Sequence, residues 1–489
     1  MKHLILSVAL SSSLLAETFT VSTALGVGEG SLSNIINSEA AEGDTITFDP
    51  GLAGRTIFMD GTQFSIGFNL TIDASNLDGG IILDAETRSR HFEVSSNVVF
   101  TLRGATLING SANSESFPAN SGGAIFSEPG AVVSLSKCFF KDNFARSGGA
   151  VRAERNEMMT ISDCSFISNT ATIDAGAIFS NSTLSITNST FFDNDGGPFG
   201  GAIENSAPLT LNHCTFVSNR AGGDGGAIDN FGAGTVSMTN SILFGNTANN
   251  GPDFFGPLNT GTNNLIGIIP SGGILDGENN RTGIDPLLTP PADFGGVGLS
   301  LLPLPGSPAI EGGISSDLTL DQTGRPRILG TFPDLGAIEA IAISTLPLVD
   351  QNDDAIDDRI AAAYPQLLSA SPEELMTLDT DLDGVTDINE VKASTNPNDL
   401  NSLLKIISFT KADDFTVNNP TFDVVFTSFP GLSYLPGFSE NLTMFGLGDV
   451  FPPPVFLADN FTTAAKVTLS PNRGFFQIRQ ALPLGPPLP

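Results

Sequence analysis

The segment Asp379-Thr380-Asp381-Leu382-Asp383-Gly384-Val385-Thr386-Asp387-Ile388-Asn389-Glu390 carries carboxylates at positions 1, 3, 5, 9 and 12 of a twelve-residue stretch, with glycine at position 6. Hard oxygen donors at that spacing suit Ca2+. Asp379, Asp381 and Asp383 would curl round the ion and Gly384 would permit the sharp turn. Val385 would lend its carbonyl, Asp387 would contribute at position 9, and Glu390 would bind through both oxygens. Without a cation the clustered carboxylates repel one another, so Ca2+ is the expected cofactor and a merely solvated acidic loop is the alternative. A second stretch keeps Asp350, Asn352, Asp354 and Asp358 at positions 1, 3, 5 and 9, but Ala355 replaces the glycine and Ala361 the closing glutamate. A weaker or vestigial site is expected there. Both stretches lie in residues 341–403, where thirteen acidic residues face only Arg359 and Lys392. Calcium in this segment would stiffen a linker, with the affinity of an extracellular module, on the order of 10⁻⁴ to 10⁻³ M.

Other chemistry is sparse. After residue 16 the chain holds only His91 and His213, Tyr364 and Tyr434, and no Trp, a poor supply of general bases and sugar-stacking rings. No catalytic motif stands out, and the protein is not expected to be an enzyme. One register argument names a pair: the residue after the apolar strand start runs Phe126, Arg152, Phe179, Glu204, Asp229, so Glu204 and Asp229 should fall on neighbouring rungs about 5 Å apart. That is near the carboxyl separation of retaining glycosidases, although a surface cation site or plain solvated carboxylates are the blander readings. Residues 88–155 are locally basic, with Arg88, Arg90, Arg103, Lys137, Lys141, Arg146, Arg152 and Arg155 against five acidic residues, eight minus five giving +3. Gathered on one face they could hold an anionic glycan; scattered turn charges are the alternative.

These residues must be positioned by a repeat. Strand starts at Gly122-Gly123-Ala124-Ile125, Gly148-Gly149-Ala150-Val151, Ala175-Gly176-Ala177-Ile178, Gly200-Gly201-Ala202-Ile203 and Gly225-Gly226-Ala227-Ile228 step by 26, 27, 25 and 25 residues. Phe140 with Asn143, Phe166 with Asn169, Phe191 with Asn194, Phe216 with Asn219 and the variant Leu243 with Asn246 keep that step. A period near 25 without a helical pattern predicts one solenoid coil per repeat, with equal positions stacked about 4.8 Å apart. Phe should then stack on Phe inside, Asn amides should bond rung to rung, and the glycines should sit where a Cβ would clash. Cys138, Cys164 and Cys214 occupy the position two before the Phe, filled by Ser189 and Ser241 elsewhere. They read as small buried column residues, not as ligands or a disulfide framework.

The recurrent GGA[I/V] and FxxN phrases resemble the polymorphic outer-membrane protein repeat. Phe19-Thr20-Val21, Gly30-Ser31-Leu32 and Gly43-Asp44-Thr45-Ile46-Thr47-Phe48 resemble the usual opening of such bacterial β-helix proteins. Asn263-Asn264-Leu265-Ile266-Gly267, Asp285-Pro286-Leu287-Leu288, Pro305-Gly306-Ser307-Pro308-Ala309-Ile310 and Asp334-Leu335-Gly336-Ala337-Ile338-Glu339 resemble the closing segment of the choice-of-anchor type. The resemblance implies a right-handed parallel β-helix, secreted or displayed on a bacterial surface. The two acidic loops, with short helical stretches near 356–364 and 372–378, resemble thrombospondin type 3 and dockerin-like calcium modules.

Lys2, the apolar run Leu4 to Leu15 and Ala16 read as a secretory signal. The expected division is a signal at 1–16, a parallel β-helix at 17–340, the calcium module at 341–403, a small β-sandwich at 404–480 and a disordered tail at 481–489. The fold class is mainly β. A net charge of −32 excludes nucleic acid as a partner of the whole molecule, and no later run of 18 apolar residues predicts a membrane-spanning helix. The expectation is a secreted or cell-surface (outer-membrane) adhesin or structural protein whose partner is an extracellular glycan or surface protein. The alternative is a polysaccharide lyase or glycoside hydrolase on the same scaffold.

Overall fold

The computed structural model describes residues 16–155, 158–268, 277–341, most of 349–402, and the strands between 406 and 480. Three long parallel sheets run the length of the first part, two of ten strands and one of eight, and every neighbour within a sheet comes from the next turn of chain. The first sheet runs from Thr18–Val21 to Thr260–Thr262, the second from Thr56–Phe58 to Arg281–Thr282, and the third from Phe64–Ile66 to Phe254–Phe255. A parallel β-solenoid of about ten turns results, as the 25-residue period requires.

Alternation makes the core. Asp44–Phe48 and its stacked equivalents bury every second residue, and the buried ones form one continuous cluster from Val21 to Ile266. Phe140, Phe166, Phe191 and Phe216 stack face to face with centroids 4.6, 4.7 and 4.4 Å apart and planes within 5° of parallel. Identical residues in register favour this parallel arrangement. Beside them Asn143, Asn169, Asn194, Asn219 and Asn246 each donate Nδ2–H to the next Oδ1 at 2.8–3.0 Å. Each amide also reaches a backbone carbonyl of the preceding rung, so every donor of these buried amides is spent. The last amide donates to Asp253 at 2.8 Å.

The paired glycines do two different jobs. A Cβ on Gly123, Gly149, Gly176 or Gly201 would lie 1.8–2.3 Å from the carbonyl oxygen of the next rung's glycine, so the rungs close up only without one. The residue before each adopts positive φ, including Ala175 where the glycine is missing. All three cysteines are buried and free, with Cys138 N–H directed at Cys164 Sγ.

After the last coil the chain turns back over the second sheet as an extended strap. Ser165 donates to Leu299 O, Thr190 to Gln322, Asn188 to Leu320 O, Asn240 to Ile314 O and Asn263 to Gly312 O. Arg327 anchors it: its side chain is 1% exposed and bonds Glu339, Asn188 and the carbonyls of Gly336 and Ala337. Phe294, Leu302, Leu304, Ala337, Ile338 and Ile341 of this region share a second apolar cluster with Ile356, Ile360, Tyr364, Leu367, Leu375 and Ile388. The acidic segment is therefore docked on the strap, a closer attachment than a linker implies. Further on, Ile406–Lys411, Thr421–Thr427 and Thr462–Thr468 form one antiparallel sheet, and Ser433–Ser439 pairs with Phe475–Gln480 in another. The expected signal up to residue 15 and the tail at 481–489 lie outside the described residues, and no helix among those described is long and apolar enough to cross a membrane.

Candidate functional site

The short helix Asp387–Ala393 follows the acidic loop, and its Ile388 is held in the second core. This fixes the loop end against the strap. Asp379, Asp381 and Asp383 come together so that one carboxylate oxygen from each lies within 4.8 Å of the others. The loop builds itself with the remaining oxygens: Asp383 N–H donates to Asp381 Oδ1 at 3.2 Å and Val385 N–H to Asp383 Oδ1 at 2.7 Å. Asp381 Oδ2 and Asp383 Oδ2 are left buried and without partners, as is Oε2 of Glu390. Burial pushes the Glu390 carboxyl up to about 8, and Asp381 and Asp383 push it the same way. Burial and its acidic neighbours likewise raise Asp381. Orphaned carboxylate oxygens facing one another fit a hard cation that would replace the missing partners.

Asp387 lies close enough to raise Asp381 and Glu390 as well. Its oxygens accept Thr380 N–H at 2.7 Å and Thr380 Oγ1–H at 2.6 Å, so it closes the loop across its base. The sequence names it because position 9 is acidic, but burial against Thr380 gives it a framing role. Val385 follows the turn as expected, while Gly384 lies outside the described residues, as do Asn352 and Asp354 of the second loop. In that second stretch Asp357 caps Asp358–Ala361 and pairs with Arg359 at 2.6 Å. Arg359 also reaches Asp293 O and lies over Phe294.

The pair Glu204 and Asp229 is adjacent in the third sheet, as the register requires. The expectation of solvated carboxylates fails: Glu204 is 6% exposed and Asp229 3%. A second outward column covers them, in which Ser121, Ser147, Asp174, Phe199, Asp224 and Asn250 bridge rung to rung five residues before the first column. Burial pushes Glu204 up to about 9, reinforced by Asp174 and Asp229. Burial also takes Asp229 up to about 7, reinforced by Asp224 and Asp174. The sequence contained this covering column, but only as residues without a repeating type.

The basic residues at 88–155 do not share a face. Arg103 stands on the first sheet, Lys141 on the second and Arg152 on the third. Arg103 pairs with Asp73, Lys141 with Asp142 and Arg152 with Glu154. A cavity of about 380 Å³ is lined by Gln63, Arg88, Arg90, Glu93 and Pro118 among others, yet Arg90 spends its donors on Gly122, Pro118 and Ser121 carbonyls, Gln63 and Glu93. His213, expected to be an ordinary strand residue, instead sits at the bend between Pro208–Asn212 and Thr215–Val217 with positive φ, buried beside Asn240.

Residues 55–266 match the family model described as a right handed beta helix region. No curated protein matches the chain.

Proposed function

We propose that this right-handed β-helix protein is an exported, calcium-stabilised surface scaffold, an adhesin or structural extracellular protein whose long solenoid faces meet glycans or other surface proteins. The observation that carries the reading is the convergence of Asp379, Asp381 and Asp383 with Glu390 nearby, the buried oxygens of Asp381, Asp383 and Glu390 lacking partners within a loop docked on the solenoid's strap. Asp379, Asp381, Asp383 and Glu390 would hold Ca2+, which would neutralise the cluster and lock Asp387–Ala393 in place. Since Ile388 and Leu375 pack with Leu302, Leu304 and Ile338, ion binding would stiffen the strap and not merely a tether. Export follows from the leading signal, and an extracellular calcium supply suits the module. Glycan lyase or hydrolase activity is the second reading, favoured by the adjacent Glu204 and Asp229.

Calcium titration calorimetry and thermal melting of the mature protein test the first reading. Saturable binding and a raised Tm, both lost in Asp383→Ala and Glu390→Ala, are expected; calcium-indifferent melting of the wild type would refute it. Release of reducing ends or unsaturated products from polysaccharides would move the assignment to the second reading.

A further inference from the structure

We infer that the trench between the two outward columns of the third sheet holds a second divalent cation, bound by Glu204 and Asp229. The two columns run side by side with a fixed offset of five residues. Ser147 faces Arg152, Asp174 faces Phe179, Phe199 faces Glu204 and Asp224 faces Asp229. Four carboxylates therefore gather over three successive rungs. Two of them have partners: Asp174 accepts from Ser147 and Asp224 from Asn250 Nδ2 at 2.7 Å. Glu204 Oε2 and Asp229 Oδ1 have none, not even each other, although both side chains are more than nine-tenths buried. The nearby cation is committed elsewhere, since Arg152 is turned to Glu154 and Ser147 and lies over the Phe117 and Phe179 rings.

Two orphaned carboxylate oxygens about one rung spacing apart form a hard, acidic donor pair of the kind Ca2+ or Mg2+ takes, and Asp174 and Asp224 add negative potential from the trench wall. Burial this deep excludes a sugar ring from the oxygens. The site is built by the solenoid itself and shares no residue with the Asp379–Glu390 loop.

Calorimetric titration of Ca2+ into the calcium-stripped mature protein at neutral pH separates the two. Two ions per chain are expected for the wild type and one for Asp381→Asn/Asp383→Asn, which leaves the trench untouched. One is also expected for Glu204→Gln/Asp229→Asn, whose amides keep the carboxyl shape. A wild type that takes one ion, with none remaining in Asp381→Asn/Asp383→Asn, overturns the inference whether or not the trench variant folds. So does a trench variant that loads as many ions as the wild type.

Discussion

The asparagine ladder and the acidic loop both gather polar groups away from solvent, and they meet the desolvation cost by opposite means. In the ladder each amide is donor to one neighbour and acceptor from another, so repetition alone supplies every partner. Carboxylates cannot do this, because an ionised oxygen only accepts. Gathering Asp381 with Asp383 in the loop, or stacking Glu on Asp, as at 204 and 229, leaves oxygens without a partner in the chain. A neutral side chain with both roles can be repeated indefinitely; a charged one needs a partner of another kind, either a distant residue or an ion. Arg327 is the case where a distant residue was found.

The largest expected effect comes from removing that partner. Arg327→Leu leaves Glu339 buried without its ion pair and should cost about 3–5 kcal/mol, read as a lower urea midpoint; a change under about 1 kcal/mol would mean that Glu339 is held by the backbone alone. Breaking the ladder should cost less. Asn194→Ala strips partners from Asn169 and Asn219, but neutral amides can recruit water, and a loss of about 2–3 kcal/mol is expected in the same measurement. A loss as large as that of Arg327→Leu would erase the distinction between the two strategies.

The smallest effect uses a group that is neutral only while pH allows. Burial holds His91 down to about 4, against an ordinary value near 6.5, so the unfolded chain takes up the proton first. Stability is then fully present above about pH 6.5 and drains away as pH falls towards 4. His91 is expected to contribute about 1 kcal/mol between pH 6.5 and 5.5, and buried His213, also held low, a like share, so His91→Gln should reduce the slope without abolishing it; an unchanged slope in that variant would place the acid sensitivity in other groups.

What the sequence disclosed follows the same division. The Phe and Asn columns, the glycine pairs and the cysteine positions were legible because a solenoid turns sequence period into contact, and each repeat restates the evidence. The convergence of Asp379, Asp381 and Asp383 was legible because those carboxylates are compressed into five consecutive residues. Arg327 was not, since its partner Asn188 lies 139 residues away and the strap has no period to align it. Nor was the burial of Glu204 and Asp229, for the covering residues Asp174, Phe199 and Asp224 share a place without sharing a side-chain type.

The amide ladder has a direction. In each rung one Nδ2–H points to the next side chain toward the C-terminal end, and the row stops at Asp253, a side chain that receives from Asn246 and passes nothing on. Dipoles aligned head to tail polarise one another, and such a row needs a terminator that can absorb the final donor. The solenoid's length is accordingly quantised. A whole coil of about 25 residues could be added or removed between Asn143 and Asn246 and the row would reconnect, whereas a coil added beyond Asp253 would find no donor to continue from. Variation in the number of ladder rungs, in this chain or in engineered versions of it, is confined to that stretch.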